Sequence, residues 1–330
     1  MSVTVSVIML TYNHAPYIAQ AVESVLAQRT TFPIELIIAD DCSTDGTTNI
    51  VRRYTKGYPD RIRLLTTLHN LGALNNERRA IDVAQGTYLA FCEGDDYWHA
   101  PNKLALQVAF LEQNPGYGIV HSDFDIVYQS SGNRIAAHNS TKHIEIPAGD
   151  ILDQLFIPSH LVKVATALLR RKLFVSHFSF ELVAEQGWLA VDLAMWLSLA
   201  PHTKIGYILQ SLATYRLLNE SISRSQDPRK LHAFHQSVFD IRRYFAEKYM
   251  CASTVRNSIE QAYNCMLIVD GFSLGDGNMI LQGAAGLKQA GQRLTLTQRL
   301  VLCSASHTSL LRALLHARAF CRRMSVSKAA

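Results

Sequence analysis

The sequence lacks the glycine-rich and cysteine-rich motifs that identify many nucleotide- and metal-binding proteins. No Gly-x-Gly-x-x-Gly follows the first apolar stretch, no Gly-x-x-x-x-Gly-Lys occurs, and the six cysteines include no Cys-x-x-Cys pair. These absences exclude a dinucleotide-binding turn and a P-loop. They also favour reduced thiols over a disulfide or zinc framework.

Long apolar runs are absent as well. No uninterrupted run reaches the length of a membrane-spanning helix. The apolar start Met1–Leu10 has no basic residues before it and ends at a polar turn, so we expect a first strand rather than a signal peptide. With 330 residues, 48% of them hydrophobic and 18% charged, the composition is typical of a globular protein with one large or two ordinary domains. We expect it in the cytoplasm.

Acidic residues are missing from the last part of the chain. Residues 281–330 hold eight Lys or Arg and no Asp or Glu, whereas the other residues have a net charge of −3. Within this part, Leu310–Met324 has the pattern of a basic amphipathic helix. Two interpretations stay open: the helix docks on its own domain, or residues 305–324 bind the inner face of an anionic membrane. The tail lacks interleaved aromatic residues, so we expect no nucleic-acid binding.

Apolar strand-like segments alternate with helical patterns over the first 120 residues. This alternation predicts an α/β fold with an open, mostly parallel sheet. The predicted strands are Val3–Leu10, Ile34–Ala39, Ile62–Thr66, Tyr88–Cys92 and Gly118–His121, with Ser122–Asp125 as polar residues after the last. The predicted helices are Pro16–Gln28, Thr47–Tyr58, Asn75–Ala84 and Pro101–Gln113. From Asp227 the pattern is helical, with Gly271–Gly277 as the clearest linker.

Polar residues follow each of the first four predicted strands. They are Thr11–His14, Asp40 and Asp41, His69–Gly72, and the group Glu93, Asp95 and Asp96. In open parallel sheets, ligands bind beyond the carboxyl ends of the strands. Four such ends favour a nucleotide or phosphate site over a solvated rim.

The three carboxylates Glu93, Asp95 and Asp96 lie within four residues of one another. Like charges this close repel and raise each other's pKa. A divalent Mg²⁺ or Mn²⁺ relieves the repulsion and keeps coordination positions for substrate phosphates. The alternative is an acidic turn that is solvated and binds nothing.

Together these stretches resemble the family 2 glycosyltransferases. The stretches that carry the resemblance are Thr11–Asn13, Asp40–Thr47, Asn70–Gly72 with Asn76, Glu93–Trp98, Asp192–Ala200, and Ala213–Arg216 through Ser221–Ser223. The resemblance covers about residues 3–223, and each motif alone is weak. It implies a GT-A fold and an inverting, metal-dependent enzyme that uses a nucleotide-diphosphate sugar as donor.

The resemblance also implies roles for individual residues. Thr11 and Tyr12 would line the nucleoside pocket, together with the motif residues Asn13 and Asn76. Asp40 or Asp41 would meet the base, and a carboxylate that accepts the N3–H of uracil makes a uridine donor the first choice. Asp95 and Asp96 would hold the metal and diphosphate, and Glu93 a ribose hydroxyl or a water.

Asp192 matches the general base of the family. Such a carboxylate would take the proton of the acceptor hydroxyl as it attacks the anomeric carbon, a contribution of about 10²- to 10⁴-fold. By position alone, Asp192 would rather be an N-cap of the helix that follows. Two residues depart from the family pattern: Leu218 replaces a histidine, and Val191 an acidic residue.

We expect a GT-A domain over residues 1–225, with a donor half 1–120 and an acceptor half 121–225, and a helical region over residues 226–330. The expected acceptor is a glycan or a lipid-linked glycan. A nucleotidyltransferase and a non-catalytic nucleotide-sugar binder are the alternatives. The sequence leaves the oligomeric state, including a homo-oligomer, open.

Other conspicuous side chains receive structural interpretations. We expect His14, His69 and His121 in turns or at the rim of the site, because no His-x-x-x-His pair supports a metal site. Trp98 and Trp196 are interpreted as core residues rather than sugar-stacking walls.

Overall fold

The computed structural model describes residues 3–156 and 161–305, and these residues divide into two compact units. The first unit contains a mixed eight-stranded sheet and extends to Leu218. The second contains the helices that follow Asn219, together with the short segment Trp188–Ala190.

The sheet of the first unit has the strand order β3-β2-β1-β4-β7-β5-β6, and β8 pairs with β5. Its strands are β1 Val5–Thr11, β2 Ile34–Asp40, β3 Ile62–Leu65, β4 Tyr88–Phe91, β5 Tyr117–Tyr128, β6 Arg134–Ile135, β7 Leu168–Arg170 and β8 Lys204–Leu217. Strands β1 to β4 are parallel, and β7 is antiparallel to both β4 and β5. The predicted α/β fold and parallel first half are confirmed.

The helices of the first unit cover the sheet. They are α1 Ile18–Leu26, α2 Thr47–Gly57, α3 Ala73–Asp82, α4 Lys103–Gln113, α5 His138–Thr141, α6 Leu152–Leu155, α7 Arg171–His177, α8 Phe180–Gln186 and α9 Val191–Leu199. Strands β1 and β4 are buried along almost their whole length, as expected for a parallel sheet covered on both faces. On one face Val5, Val7 and Met9 belong to the same core as Ile18 and Val22 of α1.

The register of the parallel strands brings their carboxyl ends to one edge of the sheet. Thr11, at the end of β1, lies opposite Asp40, at the end of β2. On the other side, Ile8 of β1 lies opposite Phe91, the last residue of β4. The polar residues that follow these three strands are therefore neighbours.

The predicted end of the fifth strand at His121 is wrong. Strand β5 continues through Ser122–Asp125 to Tyr128, with register irregularities around Asp123. A carboxylate can be buried inside a strand when hydrogen-bond donors satisfy it. The carboxylate of Asp123 accepts from the backbone N–H groups of Asn139 and Ser140 at 2.9 and 3.0 Å. His121 is consequently a buried strand residue and not a rim residue. Burial lowers the pKa of its imidazole to about 3, although the negative charge of Asp123 acts to raise this pKa.

Several predicted boundaries shift by one or two residues, and a predicted linker is replaced by helix. Helix α1 begins at Ile18, because Pro16 lies in a preceding turn in which Tyr17 N donates to His14 O at 2.9 Å. The predicted linker Gly271–Gly277 is mostly helix, since the helix Ser253–Leu274 includes its first four residues. A Cβ on Gly271 would lie 3.0 Å from Asp276 O, so glycine here permits a close approach of the next helix.

The second unit is built of the helices α10 Pro228–Lys248, α11 Ser253–Leu274, α12 Gly277–Gln289 and α13 Leu296–Ala305. Its apolar core includes Ile268, Ile280 and Leu287. Inside the unit, the carboxylate of Asp270 lies 3.0 Å from Nδ1 of both His232 and His235. Although burial disfavours the charge, these hydrogen bonds hold the pKa of Asp270 below its ordinary value.

No helix within residues 3–156 and 161–305 combines the length and the apolar character that a membrane span requires. The predicted basic amphipathic helix Leu310–Met324 lies outside the described residues.

Candidate active site

A tight acidic turn follows β4. Two backbone hydrogen bonds continue the pairing with β1 beyond the strand: Cys92 N donates to Ile8 O at 3.0 Å, and Gly94 N donates to Leu10 O at 2.9 Å. Asp96 N then donates to Glu93 O at 3.0 Å and closes the turn. The turn is therefore fixed to the sheet at the carboxyl end of its two central strands.

Gly94 is required by the close approach of β1. A Cβ at this position would lie 2.8 Å from Thr11 Oγ1 and 2.8 Å from His14 Nδ1. Both of these atoms are buried, and within the described part of the chain neither has a hydrogen-bond partner. The acidic turn thus packs directly on the polar end of β1.

The turn brings three carboxylates together. One oxygen each of Glu93, Asp95 and Asp96 lies within 4.8 Å of the others. Burial, with the charges of Asp95 and Asp192, raises the pKa of Glu93 to about 8. Burial, with the charges of Asp95 and Glu93, also raises the pKa of Asp96 well above its ordinary value. An all-oxygen donor set under this repulsion fits a hard divalent cation such as Mg²⁺ or Mn²⁺.

Arg216, near the end of β8, holds the acidic turn through hydrogen bonds. Its backbone N donates to Asp96 Oδ1 at 2.7 Å, and its Nε donates to Asp95 O at 2.7 Å. The remaining guanidinium nitrogens donate to Gln129 and Gln20 at 3.1 and 2.7 Å. The guanidinium also lies 4.8 Å from the ring of Tyr17. A single residue thus holds both aspartates of the turn.

Asp192 lies near this cluster. It is the second residue of α9, and its Oδ1 accepts from the adjacent Leu193 N at 2.8 Å. The charge of Asp192 acts on two other carboxyl groups. It contributes to the raised pKa of Glu93. Burial and, to a smaller extent, the charge of Asp192 raise the pKa of Glu77 to about 7. The charge of Asp192 therefore acts on Glu93 of the acidic turn and on Glu77 of α3.

At the end of β2, both predicted base-binding carboxylates have protein partners. Asp40 accepts from the hydroxyls of Ser43 and Thr48. Asp41 accepts from Leu71 N at 2.7 Å and from Gly72 N at 2.9 Å. The two aspartates thus order the loops that follow β2 and β3.

The predicted nucleoside-pocket residues lie at the end of β1. Thr11 is buried, and Tyr12 exposes 46% of its surface. Asn13 adopts a positive φ of 56°, a conformation that asparagine tolerates better than most residues, and its Oδ1 accepts from Thr44 N at 2.8 Å. These contacts connect the β1 turn to the loop after β2.

Asn76 serves the same region from α3. Its Nδ2 donates to Ala39 O at 2.8 Å, and it is buried.

Trp98 and Trp196 are also buried, in agreement with their interpretation as core residues, and Trp98 Nε1 donates to Ala165 O at 2.9 Å. His69 is exposed.

Sequence reasoning missed three charged residues of the site. Glu77 directly follows Asn76 on α3, but successive residues of a helix face different directions, so the motif residue Asn76 does not indicate it. Arg216 lies in the motif Ala213–Arg216, from which no role for its side chain follows. Lys163, whose charge opposes the raised pKa of Glu93, lies before a short 3₁₀ turn, Val164–Thr166, and no pattern in the sequence indicates it.

Comparison with known proteins identifies the family of the chain. The family described as Glycosyl transferase family 2 matches residues 6–178 of the chain. The chain belongs to this family. The resemblance inferred from the strand-end motifs is thereby confirmed.

Several relatives of this family 2 protein come from bacteria. The chain is 33% identical over 227 residues to "Putative teichuronic acid biosynthesis glycosyltransferase TuaG" of Bacillus subtilis, an alignment that covers 67% of this chain and 82% of TuaG. It is 29% identical over 226 residues to WfgD of Escherichia coli, with 67% and 80% covered. The uncharacterized protein Rv1520 of Mycobacterium tuberculosis is 40% identical over 124 residues, which are 38% of this chain and 36% of Rv1520. This alignment therefore spans about a third of each protein.

Solved structures share the fold. Staphylococcus aureus TarS 1-349 in complex with UDP-GlcNAc superposes with a TM-score of 0.58 at 17% identity, over 96% of this chain and 91% of TarS 1-349. The mannosyltransferase PcManGT of Pyrobaculum calidifontis, in complex with GDP-Man and Mn²⁺, gives 0.55 at 18% identity, over 97% and 85%. The fold is the α/β GT-A fold that the sequence predicts.

Proposed function

We propose that this family 2 protein transfers a sugar from a nucleotide-diphosphate sugar to a hydroxyl group of a glycan or lipid-linked glycan, with inversion at the anomeric carbon. One observation carries the proposal: the carboxylates of Glu93, Asp95 and Asp96 converge within 4.8 Å, and the charge of Asp192 acts on one of them, Glu93. Inverting transfer needs a site for the departing diphosphate and a base for the incoming alcohol. This cluster provides candidates for both.

Asp95 and Asp96 are the residues that would hold Mg²⁺ or Mn²⁺, with Glu93 beside them. When bound, the cation would supply positive charge for the departing nucleoside diphosphate. Arg216 fixes the orientation of both aspartates through its bonds to Asp96 Oδ1 and Asp95 O. Thr11, Tyr12, Asn13, Asp40, Asp41 and Asn76 would form the nucleoside pocket.

Asp192 is the proposed general base. Its carboxylate would accept the proton of the acceptor hydroxyl while that oxygen attacks the anomeric carbon, and the glycosidic bond to the diphosphate oxygen breaks. The alternative role as an N-cap is not supported, because Asp192 is the second residue of α9 and an N-cap stands before the first helical residue.

The names of relatives support the choice of substrates. WfgD is named as a UDP-Glc:alpha-D-GlcNAc-diphosphoundecaprenol beta-1,3-glucosyltransferase, which has a uridine donor and a lipid-linked acceptor. TarS was solved with UDP-GlcNAc and PcManGT with GDP-Man and Mn²⁺. By analogy we propose a uridine donor first, and a cytoplasmic site of action at the inner face of the membrane.

Residues 305–324 remain the proposed membrane contact. Apart from Ala305 they lie outside the described residues, so the proposal rests on their sequence pattern. The division into a GT-A domain 1–225 and a helical region 226–330 is likewise a proposal, as is assembly into a homo-oligomer.

A panel of nucleoside diphosphates, each with and without Mn²⁺, tests the donor. We expect UDP with Mn²⁺ to raise the melting temperature by mass action, because a ligand at 100 times its Kd adds about 2.7 kcal/mol to the free energy of unfolding. Asp192→Asn should then abolish sugar transfer but keep UDP binding, while the exposed Asp82→Asn on α3 changes neither. Full activity of Asp192→Asn would remove it as the base, and transfer of a nucleotidyl group instead of a sugar would indicate a nucleotidyltransferase.

A further inference from the structure

Helix α13 of the second unit is fixed at its start. Thr295 and Gln298 form a capping box: Thr295 N donates to Gln298 Oε1 at 2.9 Å, and Gln298 N donates to Thr295 Oγ1 at 3.2 Å. Gln298 Nε2 also donates to Cys265 Sγ of α11 at 3.4 Å. These contacts fix the rotation of α13 about its own axis, and hence which of its faces is turned to α11.

One face of α13 packs into the second unit. Val301 and Leu302 pack against the apolar core of the unit, and Ala305 is part of that core. A Cβ on Gly277 would lie 2.6 Å from Ala305 O, so the start of α12 approaches the end of α13 closely. With about 3.6 residues per turn, these three residues lie on the same face as Gln298.

The opposite face of α13 is apolar and exposed. Leu296 and Leu300 expose 76% and 63% of their surface, and Cys303 is exposed as well. Their spacing of four and three residues puts them on one stripe, about half a turn from the face in the core. Arg299 borders this outer stripe, and Arg293 lies three residues before its first leucine; both arginines are exposed. The outer stripe thus combines aliphatic side chains with positive charge.

Charge limits what can cover the outer stripe. Residues 281–330 hold eight Lys or Arg and no Asp or Glu. A second copy related by a two-fold axis would place this face against itself, so that arginines meet arginines and no carboxylate of this segment pairs with them. The residues that follow the helix, 306–330, contain no acidic side chain either. The outer stripe is therefore suited to an anionic partner rather than to a second copy or to the following residues.

We propose that the outer stripe of α13 docks on an anionic lipid surface, with Leu296 and Leu300 among the acyl chains and Arg293 and Arg299 at the headgroup phosphates. Aliphatic side chains with basic neighbours are typical of helices that lie in the membrane interface. A long arginine side chain reaches the headgroups from the edge of such a stripe. The inference rests on the proposed function for the membrane as the site of action, and it extends the contact of residues 305–324 to a face that the structure describes.

Co-sedimentation of the full chain with vesicles tests the proposal. Vesicles of phosphatidylcholine alone are compared with vesicles of phosphatidylcholine and phosphatidylglycerol in equal parts. We expect Leu296→Gln combined with Leu300→Gln to weaken binding to the mixed vesicles by at least about tenfold, because two leucines no longer enter the apolar layer. Glutamine keeps the helix propensity. Leu209→Gln, on β8 and 75% exposed, is the matched control and should bind like the unchanged protein.

The arginines are tested in the same assay. Arg293→Gln combined with Arg299→Gln should weaken binding to the mixed vesicles by about fivefold per arginine, and should leave binding to phosphatidylcholine unchanged. Unchanged binding of the double leucine variant to the mixed vesicles would overturn the proposal. A dimer of the unchanged protein that the leucine substitutions dissociate would also overturn it, because a second copy would then cover the outer stripe.

Two further comparisons separate this inference from the other proposals. Vesicle binding that only Leu310→Gln combined with Leu314→Gln removes would leave the contact to residues 305–324 and overturn the role of α13. Vesicle binding needs no turnover, so a protein that binds through the outer stripe but transfers no sugar supports the docking face while the proposed transfer fails. Sugar transfer without any vesicle binding would contradict the docking face alone.

Discussion

The backbone N–H of Arg216 donates to Asp96 Oδ1 at 2.7 Å, and the side chain of the same arginine donates to Asp95 O at 2.7 Å. One residue of β8 therefore fixes a backbone carbonyl and a carboxylate of the acidic turn. The backbone bond survives any substitution except proline, whereas the side-chain bonds depend on the planar guanidinium. A substitution of Arg216 therefore tests the side-chain hydrogen bonds while the backbone bond to Asp96 remains.

We expect Arg216→Lys to lower Mn²⁺ affinity and sugar transfer by about tenfold or more, because lysine cannot reach Asp95, Gln20 and Gln129 together. The free energy of unfolding should fall by about 1–3 kcal/mol, since hydrogen-bond partners of a buried arginine lose their donor. Arg134→Lys is the matched control, because the side chain of Arg134 also binds an aspartate, Asp125, but is 52% exposed. Unchanged Mn²⁺ affinity of Arg216→Lys would show that the turn holds its geometry without the guanidinium.

Gly94→Ala should disrupt the contact between the acidic turn and β1. The new Cβ would lie 2.8 Å from Thr11 Oγ1 and from His14 Nδ1, and 2.9 Å from Thr11 Cβ, so the turn must shift. We expect at least a tenfold loss of UDP affinity and destabilisation by about 1–3 kcal/mol. Gly116→Ala, where a Cβ would have no heavy atom within 4 Å, should change neither quantity. Titration and chemical unfolding of both variants provide the comparison.

Asp95→Asn should have opposite effects with and without metal. The charge of Asp95 contributes to the raised pKa of Glu93 and of Asp96, so its removal relieves repulsion in the metal-free protein. We expect the variant to be more stable than the unchanged protein in EDTA by about 1 kcal/mol, and to gain less stability from Mn²⁺. Melting curves in EDTA and in Mn²⁺ measure both effects. A variant that loses stability in EDTA would indicate that Asp95 has a structural role.

Glu77 gives a prediction for pH dependence. Burial and the charge of Asp192 raise its pKa from 4.5 to about 7, so the folded protein binds this proton more tightly than the unfolded chain. The corresponding stability is fully present below pH 4.5 and is lost as the pH rises through 7.

At pH 8 we therefore expect the free energy of unfolding of Glu77→Gln to exceed that of the unchanged protein by about 1 kcal/mol or more, which appears as a higher melting temperature. At pH 5 the two proteins should differ little. The exposed Glu185→Gln on α8 is the control. The same temperature difference at both pH values would mean that Glu77 is not the titrating group.

The fold and the acidic turn were predictable because they depend on local patterns. Apolar strands that end in polar residues converge in a parallel sheet, and the pairing of Thr11 with Asp40 follows from that rule. The charges of Glu77 and Lys163 were not predictable, because their position near Glu93 depends on tertiary packing. The continuation of β5 through Asp123 was missed for the same reason, since its hydrogen-bond donors come from Asn139 and Ser140.

The bond between Arg216 and Asp96 joins residues that are 120 positions apart in the chain. During synthesis the four parallel strands emerge first, so a nascent chain that ends before β8 carries the clustered carboxylates without their support. Contacts of such high sequence separation form late, after a large loop-closure entropy has been overcome. We therefore expect the ability to bind metal to be one of the last properties that the chain acquires on leaving the ribosome.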